Sequence, residues 1–197
     1  MPRIIFATSN EGKMREIRQI MQDSEYEVVS LKEAGISADI EENGTTFEEN
    51  AVIKASAIAK LTGELAMADD SGLEVDYMDK APGIYSARFL GEDTSYDIKN
   101  TYILDKLKGV PQEERSARFV CAIALAKPDG TAITKKATIE GYIGYEIRGE
   151  NGFGYDPIFM VPEFDKTTAE LSMEEKNKIS HRAKALCAMK EELLKNA

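Results

Sequence analysis

The order in which two periodicities follow one another along the chain constrains the fold more than any other feature. Through residue 107, short apolar runs alternate with apolar positions at helical spacing; after it, two longer strand-like stretches meet at a turn. Residues 3–7 form a strand candidate, and Met14, Ile17, Ile20 and Met21 follow on one helical stripe, with Ser9 or Asn10 as the natural N-cap. Residues 26–31 read as a second strand. Thr45 with Glu48 and Thr46 with Glu49 make overlapping capping boxes ahead of a helix that carries Phe47, Ala51, Ala55 and Ile58 and runs to about Leu61. Residues 65–68 are a short apolar strand leading into Asp69-Asp70-Ser71-Gly72, a turn-forming composition, with residues 73–77 continuing as a strand beyond it. Residues 97–107 predict a third helix, with Ile98, Tyr102 and either Ile103 or Leu104 as its apolar positions.

The second half has a different rhythm. Residues 119–126, the turn Lys127-Pro128-Asp129-Gly130 and residues 131–143 read as an antiparallel hairpin. Gly152-Phe153-Gly154-Tyr155-Asp156-Pro157 is a loop with a short strand, residues 158–161, behind it. Ser172 and Glu175 form another capping box, and Ile179, Ala183, Leu186 and Leu193 mark a long C-terminal helix interrupted near Ser180. Helices alternating with strands and then a hairpin predict a mixed sheet in an α/β protein. No repeat or linker interrupts the 197 residues, so residues 1–197 read as a single domain.

Charge and composition narrow the function. Lys and Arg total 25 against 35 Asp and Glu, a formal charge of −10, which disfavours broad nucleic-acid binding because phosphate neutralisation needs clustered cations. One basic pocket for a small phosphorylated ligand is compatible with that balance. Cys121 and Cys187 have no CxxC spacing and read as reduced thiols of a cytosolic protein. With a single histidine, His181, a zinc site of several His and Cys residues is excluded, and so is a Ser180–His181 dyad, because adjacent helical residues do not share a face. The N-terminal apolar run is too short for a signal-peptide core, and the longest apolar run, residues 119–126, falls far short of a membrane span. The expectation is a soluble, cytoplasmic protein without membrane association.

Four segments carry chemistry. Thr8, Ser9, Asn10, Glu11, Gly12 and Lys13 join a strand to a helix N-terminus, where backbone N–H groups and the helix dipole suit phosphate. A capped helix start with a solvated lysine is the plainer alternative, and Ala7 and Met14 rule out a Walker A loop. Asp69 and Asp70, with Glu41 and Glu42 elsewhere, offer the hard oxygen ligands Mg²⁺ prefers; an Asp/Ser/Gly turn is the alternative. In Gly152-Phe153-Gly154-Tyr155-Asp156-Pro157, Phe153 or Tyr155 could stack on a flat base while Asp156 or backbone groups face its edge; aromatics turned into the core are the alternative. Lys176, Ser180, His181 and Arg182 either supply donors to a phosphate or a base carbonyl or form a solvated helix face.

Taken in order, these segments, together with residues 41–51 (EENGTTFEENA) and residues 81–89 (APGIYSARF), resemble the Ham1/RdgB family of inosine/xanthosine triphosphate pyrophosphatases. The resemblance spans nearly the whole chain, with Ser9, where some members have Gly, a mild variation. It implies Mg²⁺-dependent hydrolysis of ITP, dITP, XTP and dXTP to the monophosphate and pyrophosphate. It also implies a homodimer and an elongated mixed β-sheet flanked by helices, in two lobes with the active-site cleft between them. Carried over residue by residue, residues 8–13 and Lys54 would hold the triphosphate, Glu41 and Asp70 the metal with Asp69 beside it, and Asp70 would be the general base. Ser71, Phe153, Gly154, Tyr155, Asp156, Lys176, His181 and Arg182 would contact the substrate. Two rivals remain at this level: a Maf-type pyrophosphatase acting on pyrimidine or modified nucleotides, and a nucleotide-binding regulator without turnover. A substrate panel separates the first, and the candidate base Asp70, which a sensor does not need, argues against the second.

Overall fold

A computed structural model describes residues 2–195. Strands β1 (Arg3–Phe6) and β2 (Glu27–Ser30) are joined by helix α1 (Glu11–Met21); α2 (Phe47–Thr62) leads into β3 (Ala66–Val75). Helix α3 (Tyr96–Lys106) precedes β4 (Ser116–Ala126) and β5 (Ala132–Ile143), followed by the short β6 (Phe159–Val161) and β7 (Lys166–Thr167). Helices α4 (Met173–Ile179) and α5 (His181–Lys195) complete the described chain. The strands form one sheet in the order β2-β1-β3-β4-β5-β6-β7. Strand β1 is parallel to β2 and β3, and β6 is antiparallel to β5 and β7, so the sheet is mixed, as the alternation of elements predicts.

The chain divides into two compact units. The first comprises residues up to 71, residues 121–137 and residues from 181 onward. Its core joins Ile4, Phe6 and Met67 of the sheet to Met14 and Ile17 of α1 and Leu186 and Met189 of α5, and α1 packs on α5. The second comprises residues 72–120 and 138–180 and is built around Leu73, Val75, Ile103, Phe119, Ile143, Tyr155 and Phe159.

Local signals set most element ends. Thr46 caps α2, its hydroxyl accepting from the Glu49 N–H at 3.1 Å, while the Thr45 N–H and hydroxyl both donate to the Glu49 carboxylate. Gly63 closes the helix at φ +72°, a left-handed conformation that costs glycine nothing. Ser172 and Glu175 form the predicted capping box on α4, and the predicted interruption falls at Ser180, whose extended backbone separates α4 from α5.

Two expectations are corrected. Asp69-Asp70-Ser71-Gly72 is not a turn but the middle of β3. Ala66, Met67 and Ala68 before it and Leu73 and Val75 after it are fully buried, and burial on both faces overrides the local turn propensity of Asp, Ser and Gly. On α3 the predicted apolar face is right only in part: Ile103 is buried as expected, but Ile98 is largely exposed and Tyr102 lies at the rim, whereas Lys99 and Asn100 are buried. Among the described residues, no helix is long and apolar enough to cross a membrane.

Candidate active site

The continuity of β3 determines the chemistry of its paired aspartates, because consecutive strand residues project to opposite faces of a sheet. Asp69 and Ser71 share one face, the Ser71 hydroxyl donating to Asp69 Oδ2 at 2.7 Å. On that face Lys13 of α1 lies 3.0 Å from Asp69, and Arg182 of α5 donates to Asp69 Oδ2 at 3.3 Å and to Ser71 Oγ at 3.2 Å. Arg182 is also paired with Glu16 of α1, both side chains being buried. Burial alone would raise the Asp69 pKa, but the charges of Lys13, Arg182 and Lys54 and the Ser71 hydroxyl hold it well below the usual carboxylate range. Asp69 is held as an anion among cations.

Asp70 is in the opposite condition. Its Oδ1 lies 3.8 Å from Lys54 Nζ of α2, and its buried Oδ2 has no hydrogen-bond partner among the described residues. Burial pushes its pKa up to about 6, with Glu42 and Asp69 adding to the rise and Lys54 and Lys13 opposing it. Lys54 also pairs with Glu42 at 3.3 Å. The acidic loop therefore brings Glu42 to this cluster, while Glu41 is exposed beside it. Asn50, one helical turn before Lys54, accepts from the Gly44 N–H at 2.8 Å and fastens the loop to α2.

The segment from Thr8 to Lys13 is half turn and half helix. The Asn10 N–H donates to Thr8 Oγ1 at 3.1 Å, and Asn10 Oδ1 accepts from the Lys13 N–H at 3.0 Å as the N-cap of α1. Glu11, Gly12 and Lys13 are the first turn of the helix, with Ser9 and Asn10 exposed ahead of it. The positive end of the α1 dipole and Lys13 thus belong to the same unit as Asp70 and Lys54.

In the second unit, the loop at residues 152–156 is tied from within. The Asp156 carboxylate accepts from the Phe153 N–H at 2.9 Å, the Thr168 hydroxyl at 2.7 Å and Lys176 Nζ at 2.6 Å. Gly152 sits at φ +69°, and a Cβ there would come within 2.1 Å of Asp156 Oδ2, so only glycine admits this closure. Lys176 also lies over the Phe153 ring at 4.8 Å. Tyr155 is a core residue, edge-on to Tyr96 at 5.2 Å with its hydroxyl donating to Ser86 O at 2.6 Å. Of the loop's two aromatics, only Phe153 remains half-buried. His181 is buried at the start of α5, in the first unit.

The structure thus brings Lys13, Asp69, Ser71 and Arg182 together on one face of β3 and Lys54 and Asp70 on the other, and Asp156 and Lys176 together in the second unit. Sequence reasoning named Glu42 only beside Glu41 as a source of oxygen ligands, and it missed Asn50 and Glu16. Glu16 lies off the Met14–Ile17 stripe, so nothing in the local pattern separates it from a solvated acid. Cys121 and Cys187 are free, and burial pushes the Cys121 thiol up to about 12, so it stays protonated.

Comparison with known proteins shows the family. The chain matches the Ham1 family over residues 4–192 and belongs to it. It is 54% identical to a dITP/XTP pyrophosphatase of Bacillus licheniformis over 94% of this chain and 95% of that one. It is 52% identical to a dITP/XTP pyrophosphatase of Desulforamulus reducens, over 93% and 92% of the two chains. The structure of a HAM1 protein from Coxiella burnetii superposes with a TM-score of 0.89 at 41% identity, covering both chains completely. That of the Staphylococcus aureus Ham1 protein does so with a TM-score of 0.87 at 43% identity, covering 99% of this chain and all of the other.

Proposed function

We propose that this protein is a nucleoside triphosphate pyrophosphohydrolase that converts ITP, dITP, XTP and dXTP to the monophosphate and pyrophosphate, keeping these purines out of DNA and RNA. The observation that carries the reading is Asp70: a buried carboxylate whose pKa stands near 6, one of its oxygens unpartnered, beside Lys54 and on the unit that also holds Lys13. A base poised near working pH is what proton abstraction from an attacking water requires. Lys13, Lys54 and the α1 N-terminus would neutralise the phosphates, and phosphate-anhydride hydrolysis asks little more of a protein than positioning and charge stabilisation.

Mg²⁺ fits the carboxylates at Asp70. Among the described residues no group of three or more His, Cys, Asp or Glu is placed to hold a metal ion. Mg²⁺, however, is usually bound by one or two carboxylates together with waters and substrate phosphates. The open Oδ2 of Asp70, with Glu42 adjacent across Lys54, supplies such a partial set, whereas Asp69 is occupied by Lys13, Ser71 and Arg182. When bound, the ion would offset the charge of the polyphosphate. Asp69 and Arg182 are then the frame that fixes Lys13 rather than groups that meet the metal.

Base recognition is assigned to residues 153–156. A donor facing the purine 6-position pairs with the carbonyl of hypoxanthine or xanthine and is left unpaired by adenine, which costs about 1–3 kcal/mol per contact. Guanine shares that carbonyl, so its rejection calls for a surface without an acceptor for the 2-amino group. The family resemblance supports a homodimer, and the −10 charge supports the absence of a nucleic-acid partner.

The test is turnover of ITP, XTP, dITP, GTP, ATP and dTTP with Mg²⁺, with pyrophosphate and orthophosphate assayed separately. Pyrophosphate from ITP, dITP and XTP, with ATP and GTP nearly untouched, is the expected result. Orthophosphate release, a preference for dTTP, or binding without cleavage each refutes it.

A further inference from the structure

The residues of α3 that the apolar pattern failed to anticipate stand outside the machinery described so far. Lys99 and Asn100 are each 1% exposed. Burying an ammonium is costly unless it is paired, and among the described residues Lys99 faces no carboxylate. Its Nζ donates to Ala87 O at 2.6 Å and lies 4.7 Å from the centre of the Tyr96 ring, and burial lowers its pKa. Asn100 Nδ2 donates to Gly154 O at 3.1 Å, while its buried Oδ1 has no partner among the described residues. Adjacent helical residues point in different directions, so one turn of α3 grips two separate segments.

Those two segments are also fastened to each other. The Tyr155 hydroxyl donates to Ser86 O, and the Ser86 hydroxyl accepts from the Leu73 N–H at 2.9 Å, anchoring the segment to β3. Tyr96 packs edge-on against Tyr155, and a Cβ on Gly154 would meet the Tyr96 ring at 3.6 Å. Ser86–Ala87, Gly154–Tyr155 and the first turns of α3 therefore close a ring of contacts within the second unit. Asp156, Thr168 and Lys176 hold the other side of the 152–156 loop.

We propose that Lys99 and Asn100 are positioning residues that set the backbone of the 152–156 loop and thereby its discrimination among purine bases. The inference rests on the base-recognition role proposed above for residues 153–156. It accounts for two buried polar side chains that a helix needing only a core would have filled with leucine or alanine.

Asn100→Leu and Lys99→Met test it, with Asn100→Ser as the milder second variant if the leucine protein does not fold. Kinetics on dITP and dGTP are combined with amide hydrogen exchange of residues 152–156 in the free protein. Losing one hydrogen bond to the loop should raise KM for dITP about tenfold and speed exchange of the loop amides about tenfold. The value of kcat should stay within about twofold, as expected when ground-state and transition-state binding are lost together. The preference for dITP over dGTP should narrow. Unchanged loop exchange, or a fall in kcat with KM and base preference intact, overturns the proposal. Wild-type protein that fails to turn over dITP would refute the activity instead, and the exchange data would still decide whether α3 holds the loop.

Discussion

Two residues one peptide bond apart, Asp69 and Asp70, are shifted in opposite directions from the ordinary carboxylate range, each by the face it occupies. The buried, unpartnered oxygen of Asp70 is a cost to the fold that a neutral amide would relieve. Asp70→Asn should lower kcat by at least about 10²-fold while raising the melting temperature in metal-free buffer, seen by calorimetry beside a steady-state assay. Activity retained within a few-fold would remove Asp70 from the role of base. The guanidinium of Arg182 meets Glu16, Asp69 and Ser71. Arg182→Met strands two buried carboxylates and should cost about 3–5 kcal/mol in urea unfolding, far more than loss of a substrate contact would. A variant with wild-type stability and a raised KM would show the opposite.

At the scale of elements, caps and turns were legible because they are local chemistry. Asn10, Thr46 and Ser172 cap the helices that the sequence predicts, and the interruption at Ser180 is real. The 69–72 segment and the buried face of α3 were not legible, since each is set by what packs over it: both faces of β3 are covered, and α3 turns Lys99 and Asn100 toward backbone carbonyls distant in sequence. The candidate site follows the same division. Lys13 and Asp70 stand in short local motifs, whereas Glu42 and Glu16 gain meaning only from Lys54 and Arg182, brought to them by the fold. One tertiary charge cluster also makes a prediction. Arg118 of β4 binds Asp76, just past β3, and Glu140 of β5, and hydrogen bonds from Arg118 and Ser116 lower the Asp76 pKa from 3.8 to about 2. A depressed carboxylate stabilises fully above its unfolded value and loses that contribution as pH falls through its folded value. The urea midpoint of Asp76→Asn should therefore lie below wild type at pH 5, and the gap should close between pH 4 and 2. A gap independent of pH would mean that the charge of Asp76 is not what matters.

The whole molecule is threaded in a way that no contiguous piece reproduces. The chain passes from one compact unit to the other after Ser71, Val120, Ala137 and Ser180, and the first three passages lie inside β3, β4 and β5. Backbone hydrogen bonding along an unbroken strand couples whatever lies at its two ends. Calorimetric unfolding should show one transition with equal van't Hoff and calorimetric enthalpies. Two resolved transitions would mean that the strands can part in the middle.

The unbroken course of β3 has a consequence for how such a chain tolerates insertions and deletions. Between Gly63, which ends α2, and Ala66, which begins β3, lie only Glu64 and Leu65. Losing or gaining one residue there, if α2 stays in place and β3 is drawn one position along β1, would turn every β3 side chain to the opposite face. One carboxylate would be carried into the other's place while Ala68 or Ser71 took the place left over, and both would fail at once. Substitutions at Glu64 and Leu65 are a matter of a local ion pair and a partly buried side chain; the number of residues in that connection is what the chemistry of the protein depends on.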